Sequence, residues 1–193
     1  MKKLFLASII ASSSLFAGTC SDNFKFDFTF YGSPKKEYVV TKNTFDSFKV
    51  NFPDEKLNDA TLEIDTLTLN TSADMNNMGK VWPAAMAKVR NNNTINHFFK
   101  KFENDPTKIT AKVTEVSDSK IKIEFTINGV AKEIPFSYEV DGETLKATGK
   151  LEILDFNTNA AWEQLKRIAE KAYHHGKSWS QIDLNFSLPA SCK

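Results

Sequence analysis

Residues 120–156, "KIKIEFTINGVAKEIPFSYEVDGETLKATGKLEILDF", constrain the fold more than any other stretch of the chain. Ile121, Ile123, Phe125 and Ile127 alternate with polar residues, the period of a half-buried strand. Asn128-Gly129 follows, the dipeptide that best tolerates the two left-handed positions of a tight hairpin turn. Alternation then resumes at Ile134, Phe136, Tyr138 and Val140, and Asp141-Gly142 turns the chain again. Three antiparallel strands are expected at about 120–127, 131–140 and 144–154. Pro135 has no N–H to give to a ladder, so it must sit at an edge or face a gap.

The rest of the chain extends the pattern. "FKFDFTFYG" places Phe24, Phe26, Phe28 and Phe30 at every second position, so their rings share one face of a strand. Such an aromatic wall either fills a core between packed strands or lines a cavity, and composition alone does not choose. Short strands are expected around Tyr38–Thr41 and Phe45–Phe52. In "ATLEIDTLTLNT" the apolar phase changes from Leu62/Ile64 to Leu67/Leu69, which predicts a β-bulge at Asp65-Thr66. "SQIDLNFSLPASC" ends the chain with a strand carrying Ile182, Leu184, Phe186 and Leu188 on one face.

Two segments break the period of two. "NTNAAWEQLKRIAEKAYHHG" has a capping Asn157 or Thr158, an apolar face of Ala161, Trp162, Leu165, Ile168, Ala169 and Ala172, and a terminating Gly176, so one helix is expected over about 158–175. Residues 72–105 form a long crossover. Pro83 to Val89 read as a short helix, "NNN" at 91–93 as a break, and Thr94 as the cap of a second turn carrying Ile95, Phe98, Phe99 and Phe102. The whole is mainly β, with about eight antiparallel strands: an up-and-down barrel, or a strongly curved sheet wrapped on a helix.

The N-terminus, "MKKLFLASIIASSSLFAGTCSD", has the layout of an export signal, with cleavage expected after Ala17 and one domain over 18–193. A lipoprotein signal is the rival, because Cys20 follows an apolar stretch, but Thr19 fits poorly before a lipid-modified cysteine. No later segment approaches the ~18 uninterrupted apolar residues of a membrane-spanning helix. Removing 1–17 takes away Lys2 and Lys3 and no acid, so 25 basic and 24 acidic residues become 23 and 24, and the formal charge moves from +1 to −1. That balance argues against nucleic acid as a partner. Cys20 and Cys192 are the only cysteines and stand near the two ends of the domain. In an oxidising compartment they read as a disulfide, which would bring the first and last strands side by side; the alternative is two free thiols.

Motifs for chemistry are scarce. No Ser-His-acid arrangement, G-x-S-x-G, P-loop or dinucleotide fingerprint is present, and no enzymatic activity, cofactor or metal is expected. His174 and His175 stand at a helix end, where partly charged imidazoles suit the dipole. His97, beside Phe98-Phe99, reads as a rim residue. Met75, Met78 and Met86 read as adaptable packing in preference to a soft copper site.

"FTINGVAKEIPFSYEV" followed by "LKATGKLEILDF" resembles the strand-turn-strand signature of the YceI-like family. The matching residues are Thr126, Ile127, Gly129, Val130 and Lys132, then Ala147, Gly149, Leu151, Ile153 and Phe156. "LEIDTLTLNT" and "INHFFKKFENDPTKIT" are similar to two further family segments, so the resemblance spans most of residues 24–190. The family's Arg-Asp after the "S-l-x-T" strand is replaced here by "SADMNNMGKVWP", which marks a divergent branch. The resemblance implies an eight-stranded, lipocalin-like antiparallel barrel in a periplasmic or secreted bacterial protein. It also implies a homodimer, and a polyisoprenoid or other long-chain amphiphile held in an apolar tunnel, carried or sequestered there. On that reading Phe26, Phe28, Phe30, Phe125, Ile127, Phe136, Tyr138 and Leu151 line the tunnel, with Phe98, Phe99 and Trp162 near its mouth. The alternative is a filled barrel that meets a protein partner through residues 72–105.

Overall fold

The computed structural model describes residues 19–77 and 79–193; the export signal assigned to 1–17 and Met78 of the methionine group lie outside them. A short helix, α1 (Cys20–Asn23), leads into β1 (Lys25–Gly32), β2 (Tyr38–Phe45), β3 (Phe48–Asn51), β4 (Thr61–Asp65) and the two-residue β5 (Leu69–Asn70). The crossover contains a small ribbon, β6 (Asn76–Asn77) and β7 (Lys80–Val81), and then α2 (Ala85–His97). Four long strands follow in quick order, β8 (Lys108–Val116), β9 (Lys120–Ile127), β10 (Val130–Asp141) and β11 (Thr144–Glu152); α3 (Asn159–Ala172) and β12 (Gln181–Pro189) complete the domain.

Ten strands form one antiparallel sheet in the order β3-β4-β8-β9-β10-β11-β12-β1-β2-β5. Its two ends are joined. β2 and β3 are one strand bent at Asp46-Ser47, and β4 and β5 are another, bent through a single 3-10 turn at Thr66–Thr68. They pair with each other on both sides of the bends, Val50 opposite Leu62 and Phe45 opposite Leu69. Backbone bonds from Asp46 N–H to Thr68 O (2.9 Å) and from Asp65 N–H to Ser47 O (3.0 Å) carry the pairing across. Counting each bent strand once, the ten strands are eight staves, and the two ends of the sheet meet to give a lipocalin-like barrel.

The hairpins lie where the alternation puts them. Asn128 (φ +50°) and Gly129 (φ +74°) occupy the two left-handed turn positions, and Ile127 pairs with Val130. The second turn is shifted by one residue: Asp141 still pairs with Thr144, and Gly142-Glu143 make the turn. Pro135 lies opposite Lys122 of β9, while pairing with β11 begins only at Phe136, so its nitrogen faces the end of that ladder. Alternation overstates burial at the far end of β10, where Val140 is 52% exposed beyond the core.

Three expectations need correction. Asp65-Thr66 is not a bulge; the Asp65 carboxylate accepts the Leu67 N–H at 2.9 Å and starts the 3-10 turn, leaving Leu67 38% exposed and only Leu69 in the core. The crossover helix is not broken at 91–93, because the Asn91 side chain accepts from both the N–H and the hydroxyl of Thr71, at 3.1 and 2.8 Å, and so is satisfied within a continuous helix. Thr158 stands at the start of α3, but its hydroxyl donates to Ile153 O at 2.6 Å instead of capping a helix N–H.

Cys20 and Cys192 form a disulfide with their Cα atoms 5.9 Å apart, both buried. β1 and β12 pair alongside it, Phe26 opposite Phe186. The Cys20 sulfur is therefore engaged within the protein and is not free to carry a lipid. The cysteine backbones are held as well: Cys20 N–H donates to Glu55 Oε2 and Leu57 N–H to Cys192 O, each at 2.6 Å.

Candidate functional site

The barrel is not filled. A cavity of about 210 Å³ runs between the inward faces of the strands and the helices laid across them, and its wall is almost entirely carbon. β1 supplies one side through Phe26, Phe28 and Phe30. These rings face inward yet are only half-buried, because the space they border is open. Phe45 of β2 packs on this wall, with its ring 6.4 Å from Phe26 and 5.8 Å from Phe28. The opposite side is built by Phe125 and Ile127 of β9, Phe136 of β10 and Leu151 of β11.

Gly149 explains how Phe136 fits there. A Cβ at that position would come within 2.9 Å of three atoms of the Phe136 ring, so the ring can lie flat over β11 only because glycine faces it. The ring then stacks 6.3 Å from Phe125 and tilts 5.5 Å from Phe186.

Over the barrel lie α2, a 3-10 turn at Phe99–Lys101, and α3. α3 turns Ala161, Trp162, Leu165 and Ala169 inward, as its 3.6-residue period dictates. Phe98 meets Trp162 edge-on at 6.3 Å, and Phe99 meets Phe45 at 5.9 Å, so the crossover, α3 and the barrel share one aromatic seam. Asn128 ties these parts together beneath the seam. Its Oδ1 accepts from Asn104 N–H at 2.9 Å, and its Nδ2 donates to Asn157 O at 2.9 Å.

Of the eleven side chains assigned to a tunnel from sequence, ten border this cavity. Tyr138 does not. Its hydroxyl donates to Ser117 O at 2.7 Å near the far end of β10, and Lys193 Nζ lies 5.0 Å from its ring. Phe45, Phe52, Leu165 and Phe186 border the cavity without having been assigned to it. Alternation carries that signal for Phe52 and in the final strand, and the 3.6-residue period of α3 carries it for Leu165. Nothing in the sequence marks Arg90, Tyr31, His174 or Trp179, which also reach the cavity wall.

Those four polar or part-polar groups gather at one end. The Tyr31 hydroxyl donates to Asp183 Oδ2 at 2.5 Å; burial first, then that bond and the Asp183 charge, push the phenol up to about 12. Trp179 Nε1 donates to Ser33 O at 2.8 Å, and Lys36 and Lys177 place their ammonium groups 4.6 and 4.3 Å from its indole. His174 is not the charged cap expected at a helix end. It is 9% exposed, packs 5.1 Å from the Tyr38 ring, and meets Ser178 Oγ through Nδ1 at 2.7 Å. Burial, with the neighbouring His175 and Arg90 charges, lowers it to about 4, so it is neutral at physiological pH. His175 beside it is exposed, as adjacent positions at a helix end require.

Arg90 of α2 is fixed by Nη2, which donates to Thr71 O (2.8 Å), Asp74 O (2.9 Å) and Met75 Sδ (3.1 Å). The Asp74 carboxylate is turned to Thr41 instead, accepting its N–H at 3.1 Å and its hydroxyl at 2.8 Å. Burial alone would raise that carboxyl, but the Thr41 and Asn76 bonds and the nearby Arg90 charge outweigh it and hold the group low.

The family model of the YceI-like domain matches residues 21–189. No curated protein is similar enough in sequence to count as a relative. Among solved structures, the chain is similar to a polyisoprenoid binding domain from Saccharophagus degradans implicated in plant cell wall breakdown, with 13% identity, a TM-score of 0.52, and coverage of 88% of this chain and 93% of that one. It is also similar to BcnA of Burkholderia cenocepacia, with 16% identity, a TM-score of 0.49, and coverage of 86% and 96%. At 13% identity the likeness to the first of these is one of fold.

Proposed function

The chain belongs to the YceI-like family, and on that premise we propose that it is a binding protein, not an enzyme, which holds a polyisoprenoid or comparable long-chain amphiphile in the barrel and carries or sequesters it. The observation that carries this reading is the hollow itself. An apolar space of about 210 Å³ exceeds the ~150 Å³ engineered cavities that stay dry and bind benzene. At ~24 cal/mol per Å³, leaving it empty costs about 5 kcal/mol, comparable to the whole net stability of many domains. A core under selection for stability alone would close such a space with larger side chains. The cavity is instead bordered on its β1 side by the Phe26, Phe28 and Phe30 rings, which are only half-buried.

Burial of about ten methylene groups supplies ~8 kcal/mol before ordering costs, so a chain can be retained by shape with little polar contact. Export to an oxidising compartment, where the Cys20–Cys192 bond persists, and pairing of two copies belong to the same reading; sedimentation of the protein recovered from the periplasm checks both. The direct test is native mass spectrometry of protein purified from its own cell envelope, followed by organic extraction. A stoichiometric long-chain species is the expected result. A protein of bare polypeptide mass, still empty after incubation with prenyl and acyl lipids, would overturn the reading.

A further inference from the structure

α2 breaks the rule that a helix lying on a core turns an apolar stripe inward. Ala87 is the one buried residue along its length, and the side chains it brings to the cavity wall include Arg90, Asn93 and Thr94, spaced three and four residues apart and so on one face. Departures from local consistency of this kind collect at functional sites. The guanidinium is held mainly by the crossover, and the buried Tyr38 phenol lies close to it. Nη2 has its three acceptors in the crossover, whereas Nε is buried and has no acceptor among the described residues. No carboxylate there forms an ion pair with Arg90; the Asp74 oxygens accept from Thr41 and Asn76. A fixed cation in the wall of an otherwise apolar tunnel, with a donor unspent, is a site short of an anion.

The surroundings carry the same sign. Lys36 and Lys177 stand over Trp179 at this end of the cavity. Acids around this wall are already engaged, Asp183 with Tyr31, Glu170 with the Ser178 N–H and the cavity-lining Asp27 with the Asn185 amide. The neutral His174 adds no competing charge.

Resting on the tunnel reading and going one step beyond it, we infer that the amphiphile carries an oxyanion head, carboxylate or phosphate, which accepts from Arg90 Nε and from the Asn93 and Thr94 side chains while its chain runs down between Phe28, Phe99 and Phe136. Lipid binding in the barrel needs only shape; this arrangement adds selection for a charged head.

The test is a matched series at equal chain length, hexadecanoate against hexadecanol and farnesyl phosphate against farnesol, measured by displacement of a fluorescent apolar probe. The wild-type protein should bind each anion about tenfold more tightly than its alcohol, the worth of one charge-assisted hydrogen bond to a buried group. In Arg90→Gln the ratio of anion to alcohol affinity should fall to about one, whatever change is common to all four lipids. Because Arg90 also stitches the crossover, Arg90→Lys serves as the variant that retains charge, with a reduced preference expected from loss of the Nε donor. Comparing the carboxylate and phosphate arms tells an acyl from a prenyl source. Equal wild-type binding of anion and alcohol, or an unchanged preference in Arg90→Gln, overturns the inference and leaves the tunnel standing. Failure of all four lipids to displace the probe would instead overturn the tunnel.

Discussion

The β9–β10–β11 sheet and the 72–105 crossover are built on opposite logics. In the sheet each level agrees: period-two alternation, turn residues with positive φ and cross-strand pairs all specify one register, and contacts elsewhere only confirm it. In the crossover the local signals are weak or misleading. "NNN" reads as a break, yet α2 passes through it, and nothing in the sequence marks Arg90, yet it borders the cavity. The sheet is written in its own sequence, whereas the crossover takes its form from what it touches. A ligand site belongs with the second kind, because groups left unsatisfied for a ligand are those that local rules do not place.

The largest test asks whether the two regions unfold as one. Replacing Cys20 or Cys192 by serine opens a loop of 172 residues. The chain-entropy relation puts the loss at about 5 kcal/mol. Urea midpoints followed by far-ultraviolet dichroism and by tryptophan fluorescence should fall together. Separate midpoints would show that the crossover side, which holds Trp82 and packs on Trp162, is a distinct cooperative unit.

Next in size is the pH dependence set by His174. Its folded value lies at about 4, below the ordinary 6.5, so on acidification the unfolded chain takes up the proton first. The stabilisation is complete above about pH 6.5 and is lost as the pH falls toward 4, by about 3 kcal/mol in all. Denaturation curves at pH 7 and pH 4.5 should show that loss in the wild type and a smaller one in His174→Gln. Equal slopes in both proteins would mean that the imidazole titrates freely.

Within the sheet, Gly149→Ala drives a methyl group to within 2.9 Å of the Phe136 ring. Overpacking of this kind costs roughly 1–3 kcal/mol, and the displaced ring must move into the cavity. A lower melting temperature together with weaker binding of a long-chain probe is expected; loss of stability with unchanged binding would place the ligand away from Phe136.

Legibility followed the same division. Alternation and turn chemistry were enough for the barrel and the first hairpin register, and they turn Phe26, Phe28, Phe30, Phe125, Ile127, Phe136 and Leu151 to the face that borders the cavity, since on a strand knowing the face is knowing the destination; Phe98, Phe99 and Trp162 border it too, but their place came from the family resemblance. Tyr138 failed because β10 outruns the core while its alternation continues. Nothing local marks Arg90, and the helix-end position of His174 points to a charged cap that the buried ring is not. Their role depends on strands distant in sequence, Tyr38 beneath His174 and the Thr71–Asp74 carbonyls around Arg90, and no local period encodes such contacts.

The smallest effect probes the crossover by itself. Asn91 Oδ1 accepts two bonds from Thr71, and these bonds keep α2 continuous through a run that would otherwise favour a turn. Asn91→Ala removes the one acceptor of both bonds but also raises helix propensity at that position. The two terms oppose, so global stability should fall by only about 1 kcal/mol, the lost bonds slightly outweighing the gain. The local effect should be larger than the global one. Thr71 and the first turn of Arg90 contacts lose their anchor, and amide exchange at residues 71–75 should quicken while that of β9 and β10 stays as it was. Uniform quickening across both regions would show that the crossover contributes to the same cooperative unit as the sheet, and the contrast between the two would then be one of sequence encoding only, without a counterpart in dynamics.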